Sequence, residues 1–251
     1  MRLLGPDTAV SHADLDITES RDVDLLIERR RPEVVFNCAA YNAVDKAESD
    51  PAAYAVNARG PLNIATACRR AGASFVHYST NFVFDGTSEE RYVEADQPDP
   101  QSGYAKSKFE GEVNALGVAG HLLVIRTAAL YGGARGFPYR ILESARSGRP
   151  LRVVSDQRIN PTYARDLAVI SVRLAEAGAG GIVHAVNEGC CAWDEFARAV
   201  LREAGVDAPV ESVPTEAYPA AAPRPKNGCL ASTRIPPLRP WAEALHEALS
   251  P

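Results

Sequence analysis

The feature that most constrains the fold is an alternation of short β-rich runs with segments of helical spacing. The β-rich runs occur at residues 34–38, 75–79 and 121–126, and helical patterns at residues 22–31 and 51–71 precede the first two of them. Such alternation is typical of a parallel sheet that is covered by helices on both faces. The sequence therefore predicts an α/β fold with a doubly wound parallel sheet.

The second half of the chain is less regular. Beyond residue 130 the sequence predicts, in order, helix 137–147, strand 151–154, helix 165–177, strand 182–186 and helix 193–204. Residues 214–225 are rich in proline, which lacks a backbone donor and prevents regular structure. We expect this segment to be an ordered loop that wraps a pocket, with a flexible lid as the alternative.

Small or hydroxylated residues follow three of the predicted strands. Ala39-Ala40, Ser79-Thr80 and Thr127 all stand at such strand ends. Ligands of doubly wound sheets bind at the carboxyl ends of the strands. The sequence therefore predicts a ligand site at this edge of the sheet.

A tyrosine and a lysine with helical spacing suggest a reaction for this site. Tyr104 and Lys108 stand four residues apart, which places them on one helix face. A nearby ammonium favours the phenolate and so lowers the pKa of tyrosine, and Thr80 could share the oxygen that receives the proton. Together these groups suit the reduction of a carbonyl. On their own, Tyr104 and Lys108 are more typical of an exposed helix face and Thr80 of a strand-end cap.

Composition excludes several classes of protein. The chain has 251 residues and a net charge of −5, which argues against a nucleic-acid-binding surface. Its one basic run, residues 29–31, is interpreted as a solvated helix end rather than a phosphate site. No apolar run reaches the roughly 18 residues that a membrane helix needs.

The cysteines and histidines give no metal or redox motif. None of the five cysteines forms Cys-x-x-Cys, so we expect reduced thiols and a cytoplasmic protein. Adjacent Cys190 and Cys191 are interpreted as small buried residues, with a redox pair as the alternative. The five histidines are scattered, and no metal site is predicted.

With these segments in place, the chain resembles the dTDP-4-dehydrorhamnose reductases, a branch of the extended short-chain dehydrogenase/reductase family. The resemblance covers nearly the whole chain. It is carried by Asn37-Cys38-Ala39-Ala40-Tyr41, Val44-Asp45-Lys46-Ala47-Glu48, Asn57, His77-Tyr78-Ser79-Thr80, Val83-Phe84-Asp85-Gly86, Tyr104-Ala105-Lys106-Ser107-Lys108, Arg126-Thr127, Asp156-Gln157, Pro161-Thr162 and Arg224-Pro225-x-Asn227.

The resemblance implies NAD(P)H-dependent reduction of a nucleotide-linked 4-keto-6-deoxy sugar. It makes Thr80, Tyr104 and Lys108 the catalytic trio, in which Tyr104 protonates the sugar carbonyl oxygen. Lys108 would lower the tyrosine pKa and bind the nicotinamide ribose. The cofactor, NADP or NAD, would be bound by Asp16, Ile17, Ala39, Ala40, Tyr41, Tyr104 and Lys108.

The resemblance also implies a substrate side of the site. The nucleotide-sugar would contact Thr80, Asn81, Arg224 and Asn227, and a guanidinium can fork onto two diphosphate oxygens. Arg224 is otherwise read as a solvated arginine, and Asp16 as a helix N-cap. Oligomeric state stays open, with a homodimer as the candidate.

The chain departs from the family pattern after Thr80 and Thr127. Asn81-Phe82 stands where Asp-Tyr is usual, and Ala128-Ala129 replaces an x-Trp pair. These changes remove polar and aromatic contacts beside the sugar. They favour either a different keto-sugar as substrate or the alternative hypothesis, in which the chain is a non-catalytic nucleotide-sugar-binding or regulatory subunit of the same family.

The family also opens with a strand and a Gly-x-x-Gly-x-x-Gly turn that this chain lacks. We expect residues 1–5 to be the tail of the following helix and residues 8–10 to be the second strand, either because an internal methionine begins this sequence or because the member is degenerate. The predicted domains are a Rossmann-like core, residues 1–130 plus 163–186, and a small substrate-binding lobe, residues 131–162 plus 187–251.

Overall fold

The computed structural model describes residues 8–118, 120–133, 136–218 and 220–250. Its strands are β1 (Val34–Asn37), β2 (Ser74–Thr80), β3 (Leu122–Thr127), β4 (Leu130–Tyr131), β5 (Leu151–Val154), β6 (Arg158–Ile159), β7 (Thr162–Tyr163), β8 (Gly181–His184), β9 (Cys191–Ala192) and β10 (Val210–Val213). Its helices are α1 (Ser20–Arg30), α2 (Ala52–Tyr54), α3 (Gly60–Ala71), α4 (Gly103–Val118), α5 (Phe137–Arg146), α6 (Ala164–Glu176), α7 (Trp193–Glu203) and α8 (Trp241–Leu249).

A four-stranded parallel sheet forms the centre, in the order β1-β2-β3-β8. Thr80 at the end of β2 is paired in register with Thr127 at the end of β3, so both strands present their carboxyl ends at one level. The prediction of an α/β fold with a parallel sheet is confirmed. Three two-stranded sheets complete the structure: β5 with β10, β4 with β7, and β6 with β9.

Apolar side chains pack on both faces of this sheet. One cluster joins β2 and β3 to α1 and α3 through Val23, Ile64 and Phe75. On the opposite face Ile125 packs with Leu167 of α6 and with other buried side chains. A separate cluster packs α5, α7 and α8 on β5. The sheet is therefore covered on both faces, as is usual for parallel strands.

The strand predicted at residues 8–10 is wrong. Thr8 belongs to a short 3₁₀ turn and residues 9–10 have no regular structure. A strand forms where a neighbour completes its backbone hydrogen bonds, and no described strand lies beside this segment. The helix tail predicted at residues 1–5 lies outside the described residues.

The helix predicted over residues 51–71 is interrupted by a π-helical turn at Ala55–Arg59. Pro61 has no N–H, so it cannot donate to the carbonyl of Asn57 four residues earlier. That carbonyl instead faces Gly111 of α4, where a Cβ atom would lie only 2.1 Å from its oxygen. The end of the helix agrees with the prediction, because Gly72 takes the left-handed conformation, φ 71°.

The prediction that all five cysteines are reduced is wrong for one pair. A disulfide joins Cys190 to Cys229, 39 residues apart in sequence. The spacing of cysteines along the chain does not predict this pair, because Cys190 meets Cys229 only when the loop after β8 packs against the segment around residue 229. Cys38, Cys68 and Cys191 are free, and Cys191 is buried as expected.

The close approach of α4 to the π-turn can be tested with two glycine variants. Gly111→Ala should destabilise the protein by about 1–3 kcal/mol, because the new methyl group meets a backbone carbonyl that cannot move freely. Gly117→Ala, on the same helix with open space around it, should be neutral or stabilising by up to about 1 kcal/mol. Urea unfolding midpoints measure both. Equal effects would contradict the packing described.

Candidate active site

A cleft of about 1120 Å³ opens at the carboxyl ends of β1, β2 and β3. Residues that follow these strands line one side, and residues of α5, β5 and the segment 215–228 line the other. The cleft therefore lies at the edge of the sheet where the sequence predicts a ligand site. Its two sides come from distant parts of the chain.

The structure brings Thr80, Tyr104 and Lys108 together on one wall of this cleft. Thr80 is the last residue of β2, and Tyr104 lies in the first turn of α4. The Thr80 hydroxyl is close enough to Tyr104 to lower the pKa of its phenol. Lys108 lies one turn further along α4, where its Nζ donates a 2.6 Å hydrogen bond to the carbonyl of Tyr78.

Burial dominates the ionisation of both titratable groups. It lowers the pKa of Lys108 to about 8, although the nearby Glu112 carboxylate raises this pKa. It raises the pKa of Tyr104 to about 12, and the Thr80 hydroxyl only partly opposes this increase. The Tyr104 pKa therefore lies above its ordinary value and not below it as expected, because desolvation of the phenolate outweighs the hydrogen bond from Thr80. The phenol keeps its proton throughout the neutral range.

The wall beside Tyr104 is apolar. Phe82 packs edge-to-face on the Tyr104 ring, with 5.7 Å between centroids. Ala128 and Ala129 continue this wall, and Ala129 has a positive φ of 40°. A non-glycine residue in this conformation is strained, and such strain concentrates at functional sites.

The predicted cofactor residues are divided between two places. Ala40 lines the cleft and Ala39 is exposed beside it, so small side chains surround the end of β1. Tyr41 points elsewhere, since its hydroxyl donates to Asp50 at 2.8 Å. Its backbone N–H donates to Asn57 Oδ1 at 2.8 Å, which fixes the loop after β1.

Asp16 and Ile17 lie away from the cleft. The Asp16 carboxylate accepts hydrogen bonds from the backbone and hydroxyl of Thr18. It is not the N-cap of α1, which is Glu19. Ile17 is buried against Gly60, where an added Cβ would lie 2.5 Å from its Cδ1. The cleft therefore contains residues that fit the nicotinamide end of a dinucleotide, namely a small alanine beside a buried ammonium and a phenol. The residues predicted for the adenine end do not line it.

The predicted substrate residues also differ in position. Arg224 lines the cleft and makes a two-point ion pair with Asp45, at 2.7 and 2.8 Å. This pair holds the pKa of the Asp45 carboxyl well below its usual range. Asn81 also lines the cleft, but its Nδ2 donates to the carbonyl of Gly228 at 2.9 Å and its Oδ1 accepts from Thr80.

Asn227 does not line the cleft. Its amide donates to the carbonyls of Ser88 and Glu90 at 2.9 and 2.8 Å, and its Oδ1 accepts from Cys229 N. All three contacts hold loops together. The position of Asn227 thus corrects the prediction that its side chain contacts the substrate, because backbone groups already occupy its polar atoms.

Sequence reasoning gave no role to several residues near the site. Asn57 Nδ2 donates to both Tyr41 O and Ser107 Oγ, which links the loop after β1 to α4. Arg126 and Glu112 form a fully buried ion pair below the trio. A charged residue in an otherwise apolar strand was the available signal for Arg126. Three further arginines line the lobe side of the cleft: Arg140, Arg152 and Arg158.

Within the described residues no three His, Cys, Asp or Glu side chains are grouped so that they could hold a metal ion. Among the described helices none combines the length and apolar character needed to span a bilayer.

A parallel sheet with a cleft at the carboxyl ends of its strands defines a Rossmann-like fold. A family described as RmlD substrate binding domain matches residues 5–251. The chain belongs to this family, and the predicted membership is confirmed.

The comparisons with individual proteins agree. The chain is 41% identical over 257 residues to a dTDP-4-dehydrorhamnose reductase of Mycobacterium tuberculosis, covering 96% of this chain and 84% of the relative. It is 38% identical to a probable dTDP-4,6-dihydroxy-2-methyloxan-3-one 4-ketoreductase of Streptomyces antibioticus, covering 96% and 85%. A crystal structure of dTDP-4-dehydrorhamnose reductase from Bacillus anthracis in complex with NADP superposes with a TM-score of 0.93 at 32% identity, covering 97% and 91%. The prediction of an oxidoreductase that uses NADP or NAD is confirmed at the level of the family.

The ion pair between Asp45 and Arg224 should hold the segment around Arg224 in place. Asp45→Asn should loosen the segment around Arg224, because the neutral amide cannot replace a two-point ion pair. Limited proteolysis should then cleave residues 214–228 faster than in the wild type. Glu216→Gln, an exposed carboxylate of the same segment, is the control and should leave the cleavage rate unchanged. Unaltered protection in Asp45→Asn would contradict this role.

Proposed function

We propose that this protein is an NADPH- or NADH-dependent reductase of a nucleotide-linked 4-keto-6-deoxy sugar, with Tyr104 as the proton donor. The observation that carries the proposal is the convergence of Thr80, Tyr104 and Lys108 on one wall of the cleft. The reductase names of its relatives support the substrate class.

The three residues are suited to distinct steps. The Tyr104 phenol is protonated at neutral pH and can give its proton to a developing alkoxide, which is a stronger base than phenolate. The Thr80 hydroxyl can donate to the same oxygen. Lys108 is an ammonium below pH about 8 and would stabilise the phenolate that forms.

Residues around the end of β1 would hold the reactive end of the cofactor. NADPH or NADH, when bound, would supply the hydride that reduces the carbonyl carbon. Ala40 and Ala39 leave room for a flat ring, and Lys108 would bind the ribose next to it. Tyr41, held by Asn57, would shape the loop rather than contact the cofactor with its side chain. Adenine-side roles for Asp16 and Ile17 stay predictions.

The opposite side of the cleft would hold the nucleotide diphosphate. Arg140, Arg152 and Arg158 present guanidinium groups, which pair with phosphate oxygens in a forked geometry. Arg224 would join them by exchanging its Asp45 partner for phosphate. Asn81 would contact the sugar through the part of its side chain that lines the cleft. We also propose the two domains predicted from the sequence, a cytoplasmic location and a homodimer.

A second candidate function is a non-catalytic nucleotide-sugar-binding or regulatory subunit. Two observations favour it: both polar groups of Asn81 are bonded within the protein, and Asp16 and Ile17 lie away from the cleft. Calorimetry separates the two functions. A reductase should bind NADPH and oxidise it with the keto-sugar, whereas a binding subunit should bind nucleotide-sugar without oxidising NADPH.

Removal of the Tyr104 hydroxyl tests the proton donor. Tyr104→Phe should lower kcat by about 10²–10⁴-fold, because a positioned general acid contributes about that factor. NADPH binding, measured by fluorescence, should be retained. Tyr139→Phe removes a hydroxyl from an exposed ring and should keep wild-type turnover. Full activity of Tyr104→Phe would exclude the proposed mechanism.

The rate should also depend on the charge of Lys108. Because its folded pKa is about 8, turnover should be highest below that pH and decrease as the pH rises through it. The measurement is kcat against pH at saturating substrate. A profile that stays flat to pH 10 would show that the ammonium is not required.

A further inference from the structure

A buried ion pair lies behind the proposed reaction centre. Glu112 and Arg126 are each 1% exposed. Arg126 Nε donates to Glu112 Oε1 at 3.0 Å, and its Nη2 donates to Oε2 at 2.7 Å. The guanidinium also lies over the Phe84 ring, 5.2 Å from its centroid.

Stability alone does not explain such a pair. Removing two charges from water is costly, and well-packed apolar residues of similar volume often serve the fold as well or better. The role of this ion pair is therefore sought in its effect on the side chains around it. Its position in the fold connects it to the catalytic wall.

Both members are adjacent to proposed catalytic residues. Glu112 follows Lys108 by four residues on α4, so the two side chains share a helix face. Arg126 precedes Thr127, which lines the cleft, and it is paired in register with Ser79 next to Thr80.

Burial disfavours the charge of Lys108, so the groups packed around it decide whether that charge is kept. Its own helix contributes Tyr104 and Glu112. From β2 it meets the Tyr78 carbonyl and the buried His77, whose pKa is held low by burial and by Lys108 itself. Cys38, after β1, lies close to Tyr78, and burial raises the pKa of its thiol, so it is neutral. Of these groups, Glu112 is the acidic side chain, and it forms an ion pair with Arg126.

We propose that Glu112, fixed by Arg126, is a positioning residue that keeps Lys108 in its ammonium form beside Tyr104. Arg126 has a separate part in this arrangement: its two-point contact fixes the position of the Glu112 carboxylate in a dry interior. The inference rests on the proposed reductase function for its catalytic meaning, but the charge of Lys108 can be measured without turnover.

The test replaces both charges at once. Glu112→Leu with Arg126→Met removes the carboxylate and leaves no unpaired guanidinium, so the fold should be retained. Lys108 should then titrate about one pH unit lower, because it has lost its opposite charge. NMR of ¹³C-labelled lysine, with the Lys108 signal identified by its loss in Lys108→Met, measures this in the protein without cofactor. The alkaline limb of kcat should move by the same amount.

The control is an exposed pair on α1 and α3. Asp24→Leu with Arg70→Met also removes one opposite-charge pair, but neither residue lines the cleft, so Lys108 and kcat should titrate as in the wild type. If the double variant does not fold, Glu112→Gln with Arg126→Gln keeps two polar side chains that can hydrogen-bond to each other and should shift the titration in the same direction.

The outcomes are distinct. A Lys108 titration that does not move in either variant overturns the proposal, since the ion pair would then be structural only. A shifted titration in a protein without reductase activity would support the positioning role and refute the proposed function instead.

Discussion

The hydrogen bond from Lys108 Nζ to the carbonyl of Tyr78 is the contact on which the rest of the site depends. It requires α4 to pack directly on the sheet, deep enough for an ammonium to reach a strand backbone. Small residues permit this approach: a Cβ on Gly103 would lie 2.5 Å from the Ala47 carbonyl, and one on Gly111 only 2.1 Å from that of Asn57. The same packing places Tyr104 beside Thr80.

Burial then sets the chemistry of that wall. It moves the pKa values of Tyr104 and Lys108 in opposite directions, because it penalises phenolate and ammonium alike. A phenol that stays protonated is a proton reservoir, and an ammonium that is only just stable needs support. In the arrangement we propose, Glu112, held in place by Arg126, supplies the opposite charge without exposing the site to water.

The opposite side of the cleft is built differently. There, loops are joined by polar contacts: Arg224 to Asp45, Asn81 to the Gly228 carbonyl, and Asn227 to the loop at residues 88–90. Such contacts exchange with water and ligands more readily than a packed helix does. A helix-packed wall thus faces a wall of loops that are joined by polar contacts.

The sequence by itself determined the α/β class and the edge of the sheet at which the cleft lies, because these follow from local spacing and strand ends. It predicted the trio Thr80, Tyr104 and Lys108 through the family resemblance, since spacing alone favours an exposed helix face. Only the tertiary structure decided what each group can do. The raised pKa of Tyr104, the Cys190–Cys229 pairing and the internal bonds of Asn227 all arise from contacts between segments distant in sequence. Spacing along a chain does not encode desolvation or the choice of a distant partner, and both of these govern the chemistry here.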